Sequence, residues 1–389
     1  MINITDKTEC SGCYACVNVC PEKCISMHRD DEGFNYPIVD MDKCVRCEVC
    51  LSVCHVLCQY EPEGISHAYA AYNKDEKIRA ESSSGGIFTN LSDYVFSKGG
   101  VVFGALFDEN YDVRHGFIES KSDLYKMRQS KYVQSEIENT FNTAKEFLSQ
   151  GRFVLFTGTP CQIAGLRLFL SKPYDNLIMM DVICHGIPSP KVWKKYVALS
   201  SEGKKVEKIN FRDKTKGWRD FGLRFDYKNG TKKLKVQDDD PYLFAFFRNI
   251  SLRPACYECT EKSLHKKSDM TLGDFWGIEN AHREFSDDKG ISLVMTHTKK
   301  GQSVLDAIRP KIKIIDADIN MVPKYNLAMT HCPKVPPNRD AFFTDLDRLD
   351  FKDLLESYCV EPFKIRYNKK LNKQIRKLKN NVKKIIGRK

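Results

Sequence analysis

The apolar positions of the chain fall into two rhythms. Short apolar runs of strand length occupy Val101–Phe107 and Val113–Ile118, close enough together to predict a hairpin, and runs at 153–156 and 177–183 predict buried strands. Residues 162–170 and 191–199 carry helical spacing and predict helices after them. Segments 221–227 and 231–236 flank Asn229-Gly230, a two-residue hairpin turn. Strand and helix thus alternate, with antiparallel insertions, and the body of the chain reads as mixed α/β. Near the end, Leu371, Ile375, Leu378, Val382 and Ile385 recur at alternating steps of four and three, the spacing of one helical face.

Cysteine dominates the first 60 residues. Ten of the 16 cysteines lie there: Cys10, Cys13, Cys16, Cys20 and Cys24, then Cys44, Cys47, Cys50, Cys54 and Cys58. Each half reads C-x2-C-x2-C-x3-C-x3-C, and the second follows the first by 34 residues. Disulfides need no such repeat, whereas x2 spacing lets successive thiolates converge on one soft metal centre. A zinc ribbon uses two C-x2-C pairs, so the third close cysteine and the x3 fourth count against zinc. The pattern resembles the bacterial-type two-cluster ferredoxin, in which the fourth cysteine of each run ligates the other cluster. That resemblance implies one [4Fe–4S] cluster on Cys10, Cys13, Cys16 and Cys54, and a second on Cys44, Cys47, Cys50 and Cys20. Pro21 follows the first run as the pattern expects, and His55 stands in its place after the second. Cys24 and Cys58 exceed the ligand count and read as buried structural thiols.

Four further cysteines bear on the body. Cys161 in TPCQ and Cys184 in ICHG each follow a predicted strand, which would put both at one edge of a parallel sheet. Cys256 and Cys259, in CYEC, have the x2 spacing that metal sites favour. A thiol at a helix N-terminus is biased toward thiolate and serves equally as nucleophile or ligand. A third tetrathiolate site uses all four cysteines. A Cys161 nucleophile with His185 as base leaves Cys256 and Cys259 unexplained. Cys332 and Cys359 lack partners at metal spacing and read as incidental thiols.

Charge changes the picture less than its total suggests. The 389-residue chain has a net charge of +11, but residues 364–389 hold 12 Lys+Arg and no acid, leaving 50 basic against 51 acidic residues before them. The excess is a tail, which argues against nucleic acid as a partner. The N-terminus has no apolar signal core and no apolar run reaches membrane-spanning length, so the expectation is a cytoplasmic protein. The tail suits a helix on an anionic membrane surface, at the inner face, and equally suits a solvated terminus or a helix on an acidic partner.

The segments SSSGG, SKYVQS, FTGTPCQIAGL, DVICHGIPSPKVW, FRDKTKGW, CYEC, SDMTLGDFWGI and KGISLV, in that order, resemble the coenzyme F-420 hydrogenase/dehydrogenase beta-subunit family from about residue 69 to 351. The resemblance implies an FAD-dependent oxidoreductase domain with a [4Fe–4S] cluster near the flavin, held here by Cys161, Cys184, Cys256 and Cys259. It also implies flavin-side positions at Ser84, Gly85, Gly86, Lys131, Tyr132, Lys216, Gly217, Trp218, Asp269, Asp274, Gly290 and Ser292. Free amides after Ser84 can cradle a pyrophosphate, or the segment is an ordinary helix cap. Lys131 and Tyr132 read alternatively as a solvated lysine and a core tyrosine, and Trp276 as core. His185 is a candidate proton donor near the flavin, or a structural histidine. Clusters pass single electrons whereas most organic substrates take two, so a flavin converter is expected on chemical grounds as well.

The implied organisation is a ferredoxin-like domain over 1–60, a larger mixed α/β flavin and [4Fe–4S] domain over 61–360, and a basic amphipathic tail over 361–389. The implied activity carries electrons from ferredoxin or another redox protein through the clusters to FAD and an organic substrate, glycan-related if the chain serves surface-polysaccharide synthesis. The alternatives are a subunit that relays electrons to a partner enzyme and a coenzyme F-420 oxidoreductase.

Overall fold

The computed structural model describes residues 1–59 and 66–360. The implied domain boundary at residues 60–61 and the basic tail both lie outside the described residues.

In the N-terminal module, strands β1 (Ile25–Arg29) and β2 (Asn35–Val39) pair antiparallel with Ile25 opposite Val39. Two short helices, Ala15–Val19 and Val49–Ser52, lie within the two cysteine runs and carry Cys16 and Cys50. Gly12 and Tyr14 are left-handed (φ +69° and +65°), and so are Arg46 and Glu48, at +54° and +61°. The two pairs are separated by the same 34 residues as the cysteine runs. The sequence repeat is therefore a conformational repeat, kept even where Arg46 replaces glycine in a region that L side chains disfavour.

The body is built on an eight-stranded mixed sheet in the order β13-β3-β12-β11-β7-β6-β4-β5. Its strands are β3 (His67–Asn73), β4 (Val101–Phe107), β5 (Val113–Ile118), β6 (Val154–Gly158), β7 (Leu177–Val182), β11 (Met270–Asp274), β12 (Ser292–Thr296) and β13 (Ile312–Ala317). The centre, β4-β6-β7-β11, is parallel, and β5, β12, β3 and β13 extend it by antiparallel pairing. A smaller antiparallel sheet orders β8 (Val206–Asp213), β9 (Gly222–Tyr227) and β10 (Lys232–Val236) as β10-β9-β8. The β4–β5 hairpin and the β9–β10 hairpin around Asn229-Gly230 fall where the apolar rhythm places them. The parallel centre is buried on both faces, which is why β6 reads as a continuous apolar run.

The helix Pro160–Leu170 begins one residue before Cys161, with a reciprocal cap between Thr159 and Gln162. It packs on the module at Gly165, where an added Cβ would lie 3.0 Å from Cys13 Sγ. Two buried arginines fasten the module to the body. Arg253 donates to Cys10 O (2.7 Å), Asn35 O (2.9 Å) and Gln134 Oε1 (3.1 Å). Arg339 grips both carboxylate oxygens of Glu32 (2.9 and 2.5 Å). Among the described residues no helix is long and apolar enough to cross a membrane.

Candidate functional site

The module's cysteines line two separate cavities. Cys10, Cys13, Cys16 and Cys54 wall one of about 380 Å³, while Cys20, Cys44, Cys47 and Cys50 wall another of about 340 Å³. Each cavity thus takes three cysteines from one run and one from the other. Cys24 also borders the second cavity, its Sγ 3.4 Å from Cys20 Sγ, a place its spacing did not announce. Cys58 donates to Leu51 O (3.4 Å), as a core thiol does.

Sheet topology assembles the third set. β6 and β7 are parallel neighbours with Gly158 opposite Asp181, so the loops leaving their carboxyl ends bring Cys161 and Cys184 to one edge. A short turn at Pro254–Cys256 adds Cys256 and Cys259, and all four border a cavity of about 670 Å³. Burial pushes the Cys161 thiol up to about 12 and Cys259 to about 11, and raises Cys256 and Cys184. Neighbouring thiols add to the shift at Cys161 and Cys256. A lone buried thiolate is disfavoured here, which counts against a free nucleophile and suits thiolates neutralised by metal. Among the described residues no three His, Cys, Asp or Glu side chains are placed to hold a metal ion. One zinc ion would need its sulfurs only roughly 3.8 Å apart, as tetrahedral Zn–S bonds of about 2.3 Å require. Thiols spread around a cavity suit a polynuclear cluster.

The third cavity and the Cys10 cavity share Ser11, His55 and Val56 as walls. His55, buried, meets Ser11 Oγ at 2.8 Å through Nε2 and Glu261 Oε1 at 3.0 Å through Nδ1. Lys267 Nζ donates to the same carboxylate at 2.9 Å. The residue that replaces proline after the second run therefore joins the module to the body. His185 borders the third cavity, with Nε2 held by Asn249 Oδ1 (2.8 Å) and its ring edge-on to Phe246, so it orients the Cys184 loop.

Most of the expected flavin positions converge on the same sheet edge. Ser84 Oγ donates to Ile291 O (2.8 Å) and Gly85 N to Ser292 Oγ (3.0 Å), joining the SSSGG loop to the start of β12. Gly290 is left-handed (φ +109°), and an added Cβ would strike Ser84 O at 2.5 Å, so only glycine fits there. Gly86 precedes the helix Ile87–Phe96, whose N-terminus has no side-chain cap. Tyr132 stacks on Phe246 (4.8 Å), which packs with Cys161 and Cys256, so the tyrosine links Arg212 to the third cysteine set. Lys131 lies over the Phe107 ring, its ammonium pulled down to about 7 by burial.

Three expected positions behave differently. Asp269 lies at the opposite end of β11 from Asp274 and accepts from Met179 N (2.9 Å) and Thr298 Oγ1 (2.7 Å), so its carboxylate is structural. Trp218 is buried, stacked on Trp276 at 4.7 Å, with Nε1 donating to Asp274 Oδ1. Lys216 is exposed beside Gly217.

Sequence reading passed over Arg212 and Lys214, both inside FRDKTKGW. Arg212 is buried, pairs with Asp274 (2.8 Å), donates to Tyr132 Oη (3.1 Å) and keeps an unpaired Nε. Lys214 donates to Arg79 O, Ser84 O and Lys289 O, tying three loops. The available signal was the alternation of cations through FRDKTKGW, at Arg212, Lys214 and Lys216.

Two cysteine-walled cavities in the module and a third at the carboxyl edge of the parallel sheet mark an iron–sulfur protein of the oxidoreductase class. The family models bear this out: "Coenzyme F420 hydrogenase/dehydrogenase, beta subunit N-term" matches residues 68–141 and its C-terminus counterpart residues 151–320. The chain belongs to the coenzyme F420 hydrogenase/dehydrogenase beta-subunit family. A 4Fe-4S dicluster domain matches residues 9–58. Among solved structures, a chain of the F420-reducing [NiFe] hydrogenase complex from Methanosarcina barkeri is 18% identical, with 77% of this chain and 92% of that chain covered at a TM-score of 0.45. No curated protein matches the chain.

Proposed function

We propose that the chain is an iron–sulfur flavoprotein that moves electrons between its N-terminal clusters and an organic partner through a third cluster and FAD. One observation carries this reading. The Cys10 cavity and the third cavity share a wall, and the third set in turn packs through Phe246 on Tyr132, an expected flavin position that accepts from Arg212. Cys10, Cys13, Cys16 and Cys54 would hold one [4Fe–4S] cluster, Cys20, Cys44, Cys47 and Cys50 a second, and Cys161, Cys184, Cys256 and Cys259 a third. The uncapped helix N-terminus after Gly86, the half-buried Lys131 and the unpaired Nε of Arg212 suit the phosphates and polar ring edge of FAD. Bound there, clusters supply single-electron steps and a flavin converts them to two-electron chemistry. Ser84, Gly290 and Ser292 shape the loop, Asp274 and Trp218 hold Arg212 in place, and His185 fixes the Cys184 loop.

The family's description as a beta subunit supports a second reading, in which the chain relays electrons to a partner enzyme. Anaerobic reduction of the isolated chain separates the two. With an organic substrate or coenzyme F-420 present, reoxidation by the chain alone supports a complete oxidoreductase. Reoxidation only after adding a co-purifying catalytic subunit supports the relay. A glycan-related substrate would show itself by reoxidation with sugar-containing acceptors and not with F-420.

A further inference from the structure

The cysteine cages of the module and of the body differ in their electrostatic surroundings. Among the described residues, the walls of the two N-terminal cavities hold Glu9, Glu22, Glu48 and Met1, and no lysine or arginine. The module around them, residues 1–59, has five basic and nine acidic side chains, a net of −4. The wall of the third cavity holds Lys262 and Lys266 together with Glu261 and the exposed Glu258. Lys262 Nζ donates to Cys184 O (2.6 Å) and Ala328 O (2.8 Å), and Lys266 Nζ, buried, to Glu261 O (2.7 Å). Among the described residues neither ammonium has a carboxylate within ion-pair distance. The Glu261 carboxylate is engaged by His55 and Lys267, and Asp181, which acts on Lys266 from further off, accepts from Thr271. Charge held by carbonyl oxygens alone, on the buried Lys266 and the half-buried Lys262, is uncompensated, so a compensating anion is called for.

We propose that Lys262 and Lys266 are the counter-cations of the third cage and set its reduction potential above those of the two N-terminal clusters, so that electrons entering through the module collect beside the proposed flavin site. The proposal rests on the third-cluster reading. Four thiolates around a [4Fe–4S] core carry a net charge of about −2 oxidised and about −3 reduced, and net charge is one of the levers on cluster potential. Positive charge nearby favours the more negative, reduced form, the more so where water is excluded. Acidic walls act in the reverse sense. The step is a one-electron transfer in which an N-terminal cluster is oxidised, the third is reduced, and no atom moves.

Redox titration of the anaerobically prepared full-length protein, followed by electron paramagnetic resonance, tests this. The third cluster is expected to have the highest midpoint of the three. Lys262→Met and Lys266→Met should each lower it by at least a tenfold change in the reduction equilibrium, about 59 mV for one electron. Iron content and the N-terminal midpoints should stay fixed, and Lys→Arg should keep the wild-type value. An unmoved midpoint in both Met variants overturns the proposal. If a Met variant loses the cluster's iron, the Gln variant is titrated instead. Loss in Met and Gln with retention in Arg supports a charge role, and loss in Arg as well overturns it. Wild-type protein holding only about eight irons overturns the third-cluster reading itself, and this proposal with it.

Discussion

In the N-terminal module each cage takes three cysteines from a seven-residue stretch and a fourth from the other run, whereas the body cage gathers Cys161, Cys184, Cys256 and Cys259 from three loops 98 residues apart at their extremes. Local winding, left-handed at the same two places in both runs, shapes the first kind. The second kind exists only because β6 and β7 are parallel neighbours and the Pro254–Cys256 turn reaches their carboxyl ends. A cage made by local conformation should depend mainly on its own cysteines. A cage made by topology should fail alone when the body is perturbed.

The largest expected effect follows directly. Cys161→Ser should remove close to four of about twelve irons and leave the N-terminal cluster spectra intact, measured by iron analysis and electron paramagnetic resonance. Full iron with lost activity would restore the nucleophile reading. Next comes the crossing of ligands: Cys20→Ala should selectively remove the cluster of Cys44, Cys47 and Cys50, and retention of both module clusters would contradict it.

A third test separates the regions by acid. His115, in the body, donates from Nε2 to Thr157 O, pairs with Ser135 through Nδ1, and is pushed down to about 4 by burial. Its folded value lies below the ordinary 6.5, so the unfolded chain binds the proton first. The histidine's contribution is complete above about 6.5 and is lost as pH falls toward 4, a swing of about 3 kcal/mol. Melting curves of His115→Gln should show a flatter pH slope than wild type across that window, and an unchanged slope would count against the assignment. Smaller still, Arg212→Met should weaken FAD binding by roughly ten- to a hundredfold, the weight of a charge-assisted hydrogen bond, with iron unchanged. Smallest, Cys24→Ala should alter neither iron content nor cluster spectrum, although its sulfur lies close to Cys20.

What could be read in advance follows the same division. The module's ligand order is written in residue spacing, and its two cavities group the cysteines as the crossed pattern expects. The body strands were legible because buried parallel strands are continuous apolar runs, and the loops after two of them marked Cys161 and Cys184. Asp269 and Asp274 looked alike in SDMTLGDFWG, yet a strand of five residues separates them to opposite sheet edges. Lys262 and Lys266 gave no local sign, because their meaning lies in what the fold places opposite them. His55 was visible as a departure from proline and Arg212 as one of the alternating cations of FRDKTKGW, but not their partners, since Glu261 and Asp274 lie 206 and 62 residues on.

The central claim is that one chain holds two locally wound clusters, one topologically assembled cluster and a flavin. Iron, acid-labile sulfide and flavin counted together on anaerobically purified protein test it most directly. The account predicts about twelve irons, about twelve sulfides and one FAD per chain. About eight irons, or full iron with no flavin retained after reconstitution with FAD, would contradict it.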